Sequence, residues 1–255
     1  MLYSNPKIQE RFSENEFLSA ISHELKTPLQ SIMGFSDILR EDIENNKFSS
    51  TTECLDYIYE ITQAAIEMND LIQDLLDVGQ VSSGNFSVDL SDKIDIADVI
   101  KRAVRLNYSY ALRGNISFKV EIAEEVKFIK LDAKRMKQVL TNLISNAVKY
   151  SPKQSEIKII CKNVAPHPLM AEMKPNPEFL EITVIDQGFG ITPAQIQTAF
   201  QKYHTIPNPN SGKVDSFGLG LPITKHLVEL QNGTIEIISE INQGTEMKLR
   251  FPYLM

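Results

Sequence analysis

The chain has 255 residues, of which 42% are hydrophobic and 23% charged, and this composition excludes a largely disordered protein. The formal net charge of −7 argues against a globally basic nucleic-acid-binding protein, so we expect no direct contact with nucleic acid. The chain has two cysteines, Cys54 and Cys161, and no apolar run reaches the roughly 18 residues of a membrane span. We therefore expect a cytoplasmic chain, or the intracellular part of a longer membrane-bound protein.

The first 80 residues are helical in pattern. Apolar residues recur there in two heptad tracks with alternating steps of three and four, which is typical of helices packed in a bundle. The tracks run through Leu18, Ile21, Leu25, Pro28, Ile32, Phe35 and Leu39, and through Ile58, Ile61, Ala65, Met68, Ile72, Leu75 and Gly79. A polar turn at 45–50 separates them, so the pattern predicts a helical hairpin. We expect two copies to form a four-helix bundle; the alternative is that the hairpin packs on the rest of the chain.

The pattern changes after a small, polar segment at 81–85, which we interpret as a linker. β-branched runs then alternate with helical stretches, which predicts an α/β domain with helices on one face of a sheet. The predicted strands are 86–90, 116–122, 128–131, 156–163, 180–185, 234–239 and 245–251. The predicted helices are 96–112, 133–149, 193–200 and 221–231. A Pro-rich stretch at 165–178 is interpreted as a surface loop.

Chemistry in the hairpin centres on His23, in the segment HELKTP. In the first heptad track His23 falls at position f and faces solvent, where a neutral imidazole can act as a nucleophile near pH 7. Glu24 could orient the ring or take a proton, and Thr27 shares the face one turn later. Pro28 removes a helical hydrogen bond and should bend the helix. The alternative is an inert surface histidine.

One helix of the second region carries amides and a lysine on the same face. Asn142 and Asn146 are spaced i, i+4, and Lys149 follows Asn146 at i+3. Amide oxygens suit Mg²⁺, and a lysine suits phosphate. The alternative is a solvated polar stripe.

Two glycine segments follow. Asp186 ends an apolar strand and opens DQGFGI, where Gly188 and Gly190 permit the close approach of a flat ligand. Asp186 could accept a hydrogen bond from an exocyclic amine. Gly218 and Gly220 begin the last predicted helix, and a glycine turn at a helix N-terminus can cradle phosphate. The alternative for each is an ordinary turn.

A polar segment at 201–216 lies between the two glycine segments and could act as a lid over a phosphate tail. It contains Lys202 and lacks apolar periodicity. The alternative is a flexible loop.

Together and in this order, the motifs resemble the catalytic core of sensor histidine kinases of two-component systems. FLSAISHELKTPLQSIMGFSDIL resembles the phosphoacceptor box, NLISNAVKYS the N box and DQGFGI the first glycine box; AFQKYH resembles a diverged aromatic box and GLGLPITKHLVELQNGTIEI the second glycine box. The resemblance covers about residues 10–252. It implies a dimerisation and phosphoacceptor hairpin at 1–80, a linker at 81–85, and an ATP-binding domain at 86–255 with a two-layer α/β sandwich of the Bergerat type.

The resemblance also implies a role for each motif residue. His23 would be phosphorylated on Nε2 by the γ-phosphoryl group of ATP, with Glu24 as its acid/base neighbour. Thr27 would position water for removing phosphate from the partner, Asn146 would hold Mg²⁺, and Asp186 would read the adenine amino group. The further ATP contacts would be Asn142 beside the phosphates and metal, Lys149 at phosphate, Tyr150 at the adenine or ribose, Gly188 and Gly190 around adenine, Lys202 at the γ-phosphate, and Gly218, Leu219 and Gly220 around the phosphates.

The function so implied is ATP-dependent autophosphorylation of a histidine in a homodimer. The phosphoryl group would pass to an aspartate of a response-regulator receiver domain, and the chain would also dephosphorylate that regulator. One alternative is an ATPase of the same nucleotide-domain superfamily that uses ATP as a conformational clamp. Such proteins usually carry Glu where this chain has Asn142, and they lack the His23 hairpin. The third possibility is a dimeric scaffold without catalytic activity. The intact His23, Asn146 and Asp186 argue against it.

Overall fold

The computed structural model describes residues 6–45, 51–82, 87–90, 92–126, 128–165, 178–202, 204–206 and 218–253. The chain divides into two compact units, residues 1–84 and 85–255. Within the described ranges, no helix combines the length and apolar character needed to cross a membrane. Nearly all of the predicted 45–50 turn, most of the 165–178 loop and most of the 201–216 segment lie outside the described residues.

The first unit is the predicted helical hairpin. Helix α1 spans Pro6–Glu44, and helix α2 spans Thr51–Ser82, so α2 continues two residues into the predicted linker. The rest of that linker lies outside the described residues. Helix α1 continues through Pro28, which is buried. The predicted nucleophile His23 therefore lies on a continuous helix.

The two helices meet along an apolar seam. The α1 side follows the predicted track from Leu25 to Leu39, and Phe35 stacks on Tyr57 of α2 with ring centroids 6.0 Å apart. On the predicted α2 track, Ile61, Met68 and Leu75 are half-buried, whereas Ile58 and Ile72 are exposed in the single chain. The side chains of α2 that meet α1 include Tyr57 and the buried Ala64, which lie on the row one residue before the predicted track. This row also carries Glu60, Glu67 and Asp74, so apolar periodicity does not single it out.

The second unit is a two-layer α/β sandwich, as predicted. Its five-stranded sheet has the order β2-β4-β5-β7-β6, in which only β2 and β4 are parallel. The strands are β2 (Ser117–Ile122), β4 (Glu156–Val164), β5 (Phe179–Ile185), β6 (Thr234–Glu240) and β7 (Gly244–Pro252), and a separate antiparallel pair is formed by β1 (Lys93–Ile94) and β3 (Ile129–Lys130). Strands β6 and β7 form the predicted hairpin.

Three long helices cover one face of this sheet. The helices of the second unit are α3 (Ile96–Arg113), α4 (Ala133–Tyr150), α6 (Gly220–Leu230) and the short α5 (Pro193–Thr198). Asp95 and Asp132 cap α3 and α4, since each side chain accepts a backbone N–H of the first turn. Helix α4 contacts both α3 and α6 and buries Met136, Leu140 and Ile144 completely. The helix that carries both site asparagines is therefore the central helix of the layer.

The predicted strand at 86–90 is wrong. Over 87–90 the side chains do alternate between exposed and half-buried, as the sequence suggests, but this stretch forms no ladder with another strand. The N–H of Asp89 instead donates to Oδ2 of Asp132, with an N–O distance of 3.0 Å. The alternation thus indicates which side of the segment is half-buried, whereas the backbone N–H of Asp89 bonds to the residue that caps α4.

Candidate nucleotide-binding site

The structure places Asp186 at the end of β5 as a buried carboxylate. Its Oδ1 accepts the N–H of Gly188 at 2.7 Å and the N–H of Thr245 at 3.1 Å. Among the described residues, no group donates to Oδ2. Burial raises the pKa of Asp186 to about 6, against the two N–H bonds, which act to lower it. The site therefore holds one carboxylate oxygen that is available to a donor such as an aromatic amine.

The two glycines after Asp186 lie against backbone carbonyl groups, where an added Cβ would clash. A Cβ on Gly188 would lie 2.7 Å from the carbonyl oxygen of Tyr150. Gly190 has φ of +63°, and a Cβ there would overlap the carbonyl oxygen of Glu240. The N–H of Asn242 also donates to the carbonyl of Phe189 at 2.8 Å. The turn between β6 and β7 thus supports the first glycine box from behind.

An aromatic pair joins the end of α4 to this loop. The rings of Tyr150 and Phe189 meet edge to face, with centroids 5.6 Å apart. The ammonium group of Lys149 lies 5.5 Å from the centroid of the Tyr150 ring. The predicted base-contacting and phosphate-contacting residues of α4 are therefore brought next to the predicted adenine pocket.

The two asparagines of α4 face the start of α6. Nδ2 of Asn142 donates to Oγ1 of Thr224 at 2.7 Å, and Nδ2 of Asn146 approaches Oδ1 of Asn142 at 3.5 Å. A Cβ on Gly220 would lie 2.8 Å from the Asn142 amide oxygen, and Leu219 beside it is buried. The N box and the second glycine box thus lie against each other in the structure. In the described part of the chain, no group donates a hydrogen bond to the side-chain amide oxygen of Asn146.

The two ends of the predicted lid lie together. Gly218 has φ of +62°, and a Cβ there would meet the backbone of His204. Residues 207–217 between these ends, and Tyr203, lie outside the described residues. Lys202 is exposed and, among the described residues, has no hydrogen-bond or ion-pair partner. The structure does not bring Lys202 into contact with the other site residues it describes.

The predicted phosphoacceptor residues all lie on α1, in the first unit. The side chains of His23 and Glu24 lie outside the described residues, whereas Thr27 is exposed. The carbonyl of Thr27 accepts the hydroxyl of Ser31 at 3.3 Å. These residues share one helix in the first unit, whereas the nucleotide-type site is built within the second.

The donor set of the second unit fits a nucleotide with a bound divalent cation. The buried carboxylate of Asp186 suits the adenine amino group, and the amide oxygen of Asn146 suits Mg²⁺. Within the described residues, no cluster of three or more His, Cys, Asp or Glu could hold a metal alone. Mg²⁺ usually takes few protein ligands together with substrate phosphates and water, so one amide oxygen such as that of Asn146 is a suitable ligand.

Sequence reasoning missed three contributors to this site. Thr224 accepts the hydrogen bond of Asn142, Phe189 pairs with Tyr150, and Thr245 supplies an N–H to Asp186. Thr224 follows Gly220 by one helical turn, which is a signal that could have identified it. The other two depend on contacts between distant segments, which spacing does not encode.

Two family models match the chain. The model described as "His Kinase A (phospho-acceptor) domain" matches residues 13–84, and the model described as "Histidine kinase-, DNA gyrase B-, and HSP90-like ATPase" matches residues 131–255. The first covers most of the hairpin, and the second covers the helices and strands that build the candidate site.

Curated relatives match nearly the whole chain. The "Non-motile and phage-resistance protein" of Caulobacter vibrioides is 27% identical over 94% of this chain. The "Hybrid signal transduction histidine kinase A" of Dictyostelium discoideum is 29% identical over 95% of it. The chain spans 27% of the length of the first relative and 11% of the second.

Solved structures share the fold. ShkA, crystallised at full length in complex with AMPPNP, matches 94% of this chain with 46% of its own, at a TM-score of 0.60 and 21% identity. Histidine kinase ThkA, in complex with response regulator protein TrrA, matches 96% of this chain with 64% of its own, at a TM-score of 0.57 and 20% identity. Having both a phosphoacceptor hairpin and an ATPase domain of this kind, in this order, the chain belongs to the sensor histidine kinases.

Proposed function

We propose that this chain is an ATP-dependent protein-histidine kinase that phosphorylates His23 and passes the phosphoryl group to an aspartate of a response regulator. The observation that carries the proposal is the buried Asp186 carboxylate. A carboxylate with a pKa of about 6 costs stability in the native state, and a donor bound to its unpaired Oδ2 would recover part of that cost. The amino group of adenine is such a donor.

The phosphate end of the nucleotide would lie along α4 and the start of α6. Asn146 would hold Mg²⁺ through its amide oxygen, with Asn142 beside it, and Lys149 would contact phosphate. The turn Gly218-Leu219-Gly220 would present backbone N–H groups at the start of a helix, where they favour anions. Mg²⁺ would neutralise charge on the phosphates. Tyr150, paired with Phe189, would lie against the base or the ribose.

The transfer itself moves one phosphoryl group. Nε2 of His23 would form a bond to the γ-phosphorus while the bond from that phosphorus to the β,γ-bridging oxygen breaks, leaving ADP. Glu24 would accept the proton that the imidazole loses. The rate would come mainly from positioning and charge neutralisation, as is general for phosphoryl transfer. Lys202 would reach the γ-phosphate from the lid.

We further propose that the hairpin forms a homodimer. Several large apolar side chains of α1 and α2 are exposed in the single chain, including Met33, Leu55, Ile58, Ile72 and Leu76. Exposed apolar stripes of this length are typical of helices that pair with further helices. A second copy would cover them in a four-helix bundle, which supports the predicted dimer.

The partner we propose is the receiver domain of a response regulator. The complex of the similar kinase ThkA with its regulator TrrA supports this choice. Thr27, exposed one turn after His23, would position water for removing phosphate from the regulator's aspartate. We place the reaction in the cytoplasm, either in a soluble kinase or in the intracellular part of a membrane-bound sensor.

Incubation with Mg²⁺ and γ-labelled ATP separates the three candidate functions. We expect label on the protein that is labile in acid and stable in base, as a phosphohistidine is. Steady phosphate release without a labelled protein would favour the ATPase clamp, and neither product would favour the scaffold. For the phosphatase activity, Thr27→Ala should spare self-labelling and slow dephosphorylation of the regulator. Equal loss of both would contradict that role.

A further inference from the structure

The far ends of α4 and α6 are joined by a buried amide. Gln231 follows α6, is 1% exposed, and uses both ends of its side chain. Its Oε1 accepts the N–H of Asp132 at 2.8 Å, and its Nε2 donates to the carbonyl of Leu227 at 3.0 Å and to the sulfur of Met136 at 3.6 Å. One side chain therefore ties the last turn of α6 to the first turn of α4.

The same two helices are joined again at the candidate site. There the Asn142 amide contacts Thr224 and lies against Gly220. The two contacts lie about 15 Å apart along α4, given a rise of 1.5 Å per residue. With both contacts in place, sliding or pivoting of α6 against α4 would break at least one of them.

We propose that Gln231 is a positioning residue for the nucleotide site. With α4 and α6 held at their far ends, Asn142 and Asn146 keep their place opposite the Gly218–Gly220 turn. This matters because the proposed phosphate and Mg²⁺ contacts come from both helices, so binding needs a fixed distance between them. The inference rests on the proposed nucleotide site and adds a residue remote from it.

The network reaches one segment further. Asp132 caps α4 through Oδ1, which accepts the N–H of Arg135, and its Oδ2 accepts the N–H of Asp89. Asp89 belongs to the short stretch that follows the boundary between the two units. The first turn of α4 is thus held by α6 on one side and by the chain leaving the linker on the other.

The test uses the full chain with Gln231→Met, which keeps a side chain of similar length and removes the hydrogen bonds of the amide. Asn107→Leu is the matched control. Asn107 is also a buried amide, 5% exposed, but its hydrogen bond among the described residues goes to the Ala103 carbonyl within its own helix, α3. Affinity for a nonhydrolysable ATP analogue with Mg²⁺ is measured by calorimetry at a temperature where circular dichroism shows each protein folded. We expect Gln231→Met to weaken binding at least fivefold and Asn107→Leu less than twofold.

A second measurement needs no variant. If Gln231 couples to the site, nucleotide must in turn stabilise its contact, because coupling is reciprocal. Hydrogen exchange of the Asp132 amide, which donates to Gln231, should therefore slow on adding the analogue. The Ala97 amide, which donates to the Asp95 side chain in α3, should not change as much.

The outcomes separate this inference from the function it rests on. Normal binding by the wild-type chain, with equal affinity in Gln231→Met and Asn107→Leu, would overturn the positioning role and leave the nucleotide site intact. Equal slowing at Asp132 and Ala97 would also overturn it. Failure of the wild-type chain to bind the analogue would overturn the site and this contact with it.

Discussion

Asp186 places binding and stability in conflict. Burial disfavours its ionised form and raises the carboxyl pKa to about 6, even though two backbone N–H groups donate to Oδ1. The group is thus ionised at neutral pH at a cost to the native state. We expect evolution to retain such a residue only where the charge is used, and an adenine amino group would use it.

The first prediction concerns pH. Because the ionised carboxylate is the acceptor for adenine, affinity for ADP should be constant above pH 7 and should fall as pH drops through about 6. Protonation of one essential group lowers the affinity about tenfold per pH unit below the pKa of that group. Calorimetric titrations from pH 5 to pH 8 would show this, and an affinity that is flat across the range would contradict the role given to Asp186.

The second prediction concerns Asp186→Asn. An asparagine could still accept both N–H bonds at Oδ1, but it carries no charge to bury. The raised pKa means that the native protein loses stability as pH rises from 3.8 to about 6, so the variant should gain most above pH 6. We expect a gain of about 2 to 3 kcal/mol in the free energy of unfolding at pH 7.5, with loss of nucleotide binding.

Urea denaturation without nucleotide, at pH 4.5 and at pH 7.5, measures this gain. The advantage of the variant should be small at the lower pH and larger at the higher. A variant that is less stable than the wild type at pH 7.5 would show that the Asp186 carboxylate stabilises the fold.

At the scale of elements, the first glycine box depends on the turn between β6 and β7. Glu240 and Asn242 of that turn contact Gly190 and the carbonyl of Phe189. The loop that shapes the candidate adenine pocket is therefore held by a hairpin more than 40 residues later in the sequence. Motif reading could find the loop, but its support is visible only in the fold.

The third prediction follows from that contact. Gly190→Ala should cost at least about 2 kcal/mol, because alanine at positive φ is strained and its Cβ would overlap the Glu240 carbonyl. Gly34→Ala is the control, since Gly34 lies within α1 with nothing within 4 Å of an added Cβ. The control should gain about 0.5 to 1 kcal/mol. Thermal denaturation compares the two, and equal stability would refute the account of the turn.

The fourth prediction concerns the hairpin surface. Ile72 on α2 is 44% exposed and Ile238 on β6 is 45% exposed, so they match in residue type and exposure. If a second copy covers the hairpin, Ile72→Glu should shift the chain from dimer to monomer, because a charge would be buried in the bundle. Ile238→Glu should leave the dimer intact. Analytical ultracentrifugation decides, and a fully dimeric Ile72→Glu protein would exclude this row from the interface.

The elements were largely predictable because their patterns are strong. Long heptad tracks predicted the hairpin, and helical stretches between β-branched runs predicted α3 and α4, whose caps Asp95 and Asp132 appear in the structure. The predicted strand at 86–90 is an error with a physical cause. At 87–90 the alternation is real, but the Asp89 N–H bonds to the Asp132 side chain instead of to another strand. On α2, the contacts of Tyr57 and Ala64 with α1 are set by packing, because their row also carries charged residues.

At the scale of the whole molecule, the two units carry net charges of opposite sign. Residues 1–84 carry 5 Lys+Arg against 15 Asp+Glu, a net charge of −10, whereas residues 85–255 carry 21 against 18, a net charge of +3. The positive unit suits a polyanionic nucleotide. An acidic hairpin suits a regulator with a basic docking surface, since complementary charge speeds and orients encounter.

The sequence predicted two units and their motifs better than it predicted contacts between distant residues. Motifs single out Asn146 and Asp186 because each lies in a short segment, NLISNAVKYS or DQGFGI, with other predicted site residues. Gln231 has no local motif, and its contact with Asp132 joins residues 99 apart in the chain. Contacts of that kind are set by how helices pack, which a single sequence does not state.

Locating the transferred phosphoryl group tests the proposal that His23 receives it from ATP. The full chain is incubated with Mg²⁺ and γ-labelled ATP, beside His23→Gln and, as a control for the loss of an imidazole elsewhere, His167→Gln in the Pro-rich 165–178 stretch. We expect acid-labile, base-stable label on the wild type and on His167→Gln, and none on His23→Gln. Label that survives in His23→Gln, or a wild-type chain that binds ATP and never becomes labelled, would contradict the proposal.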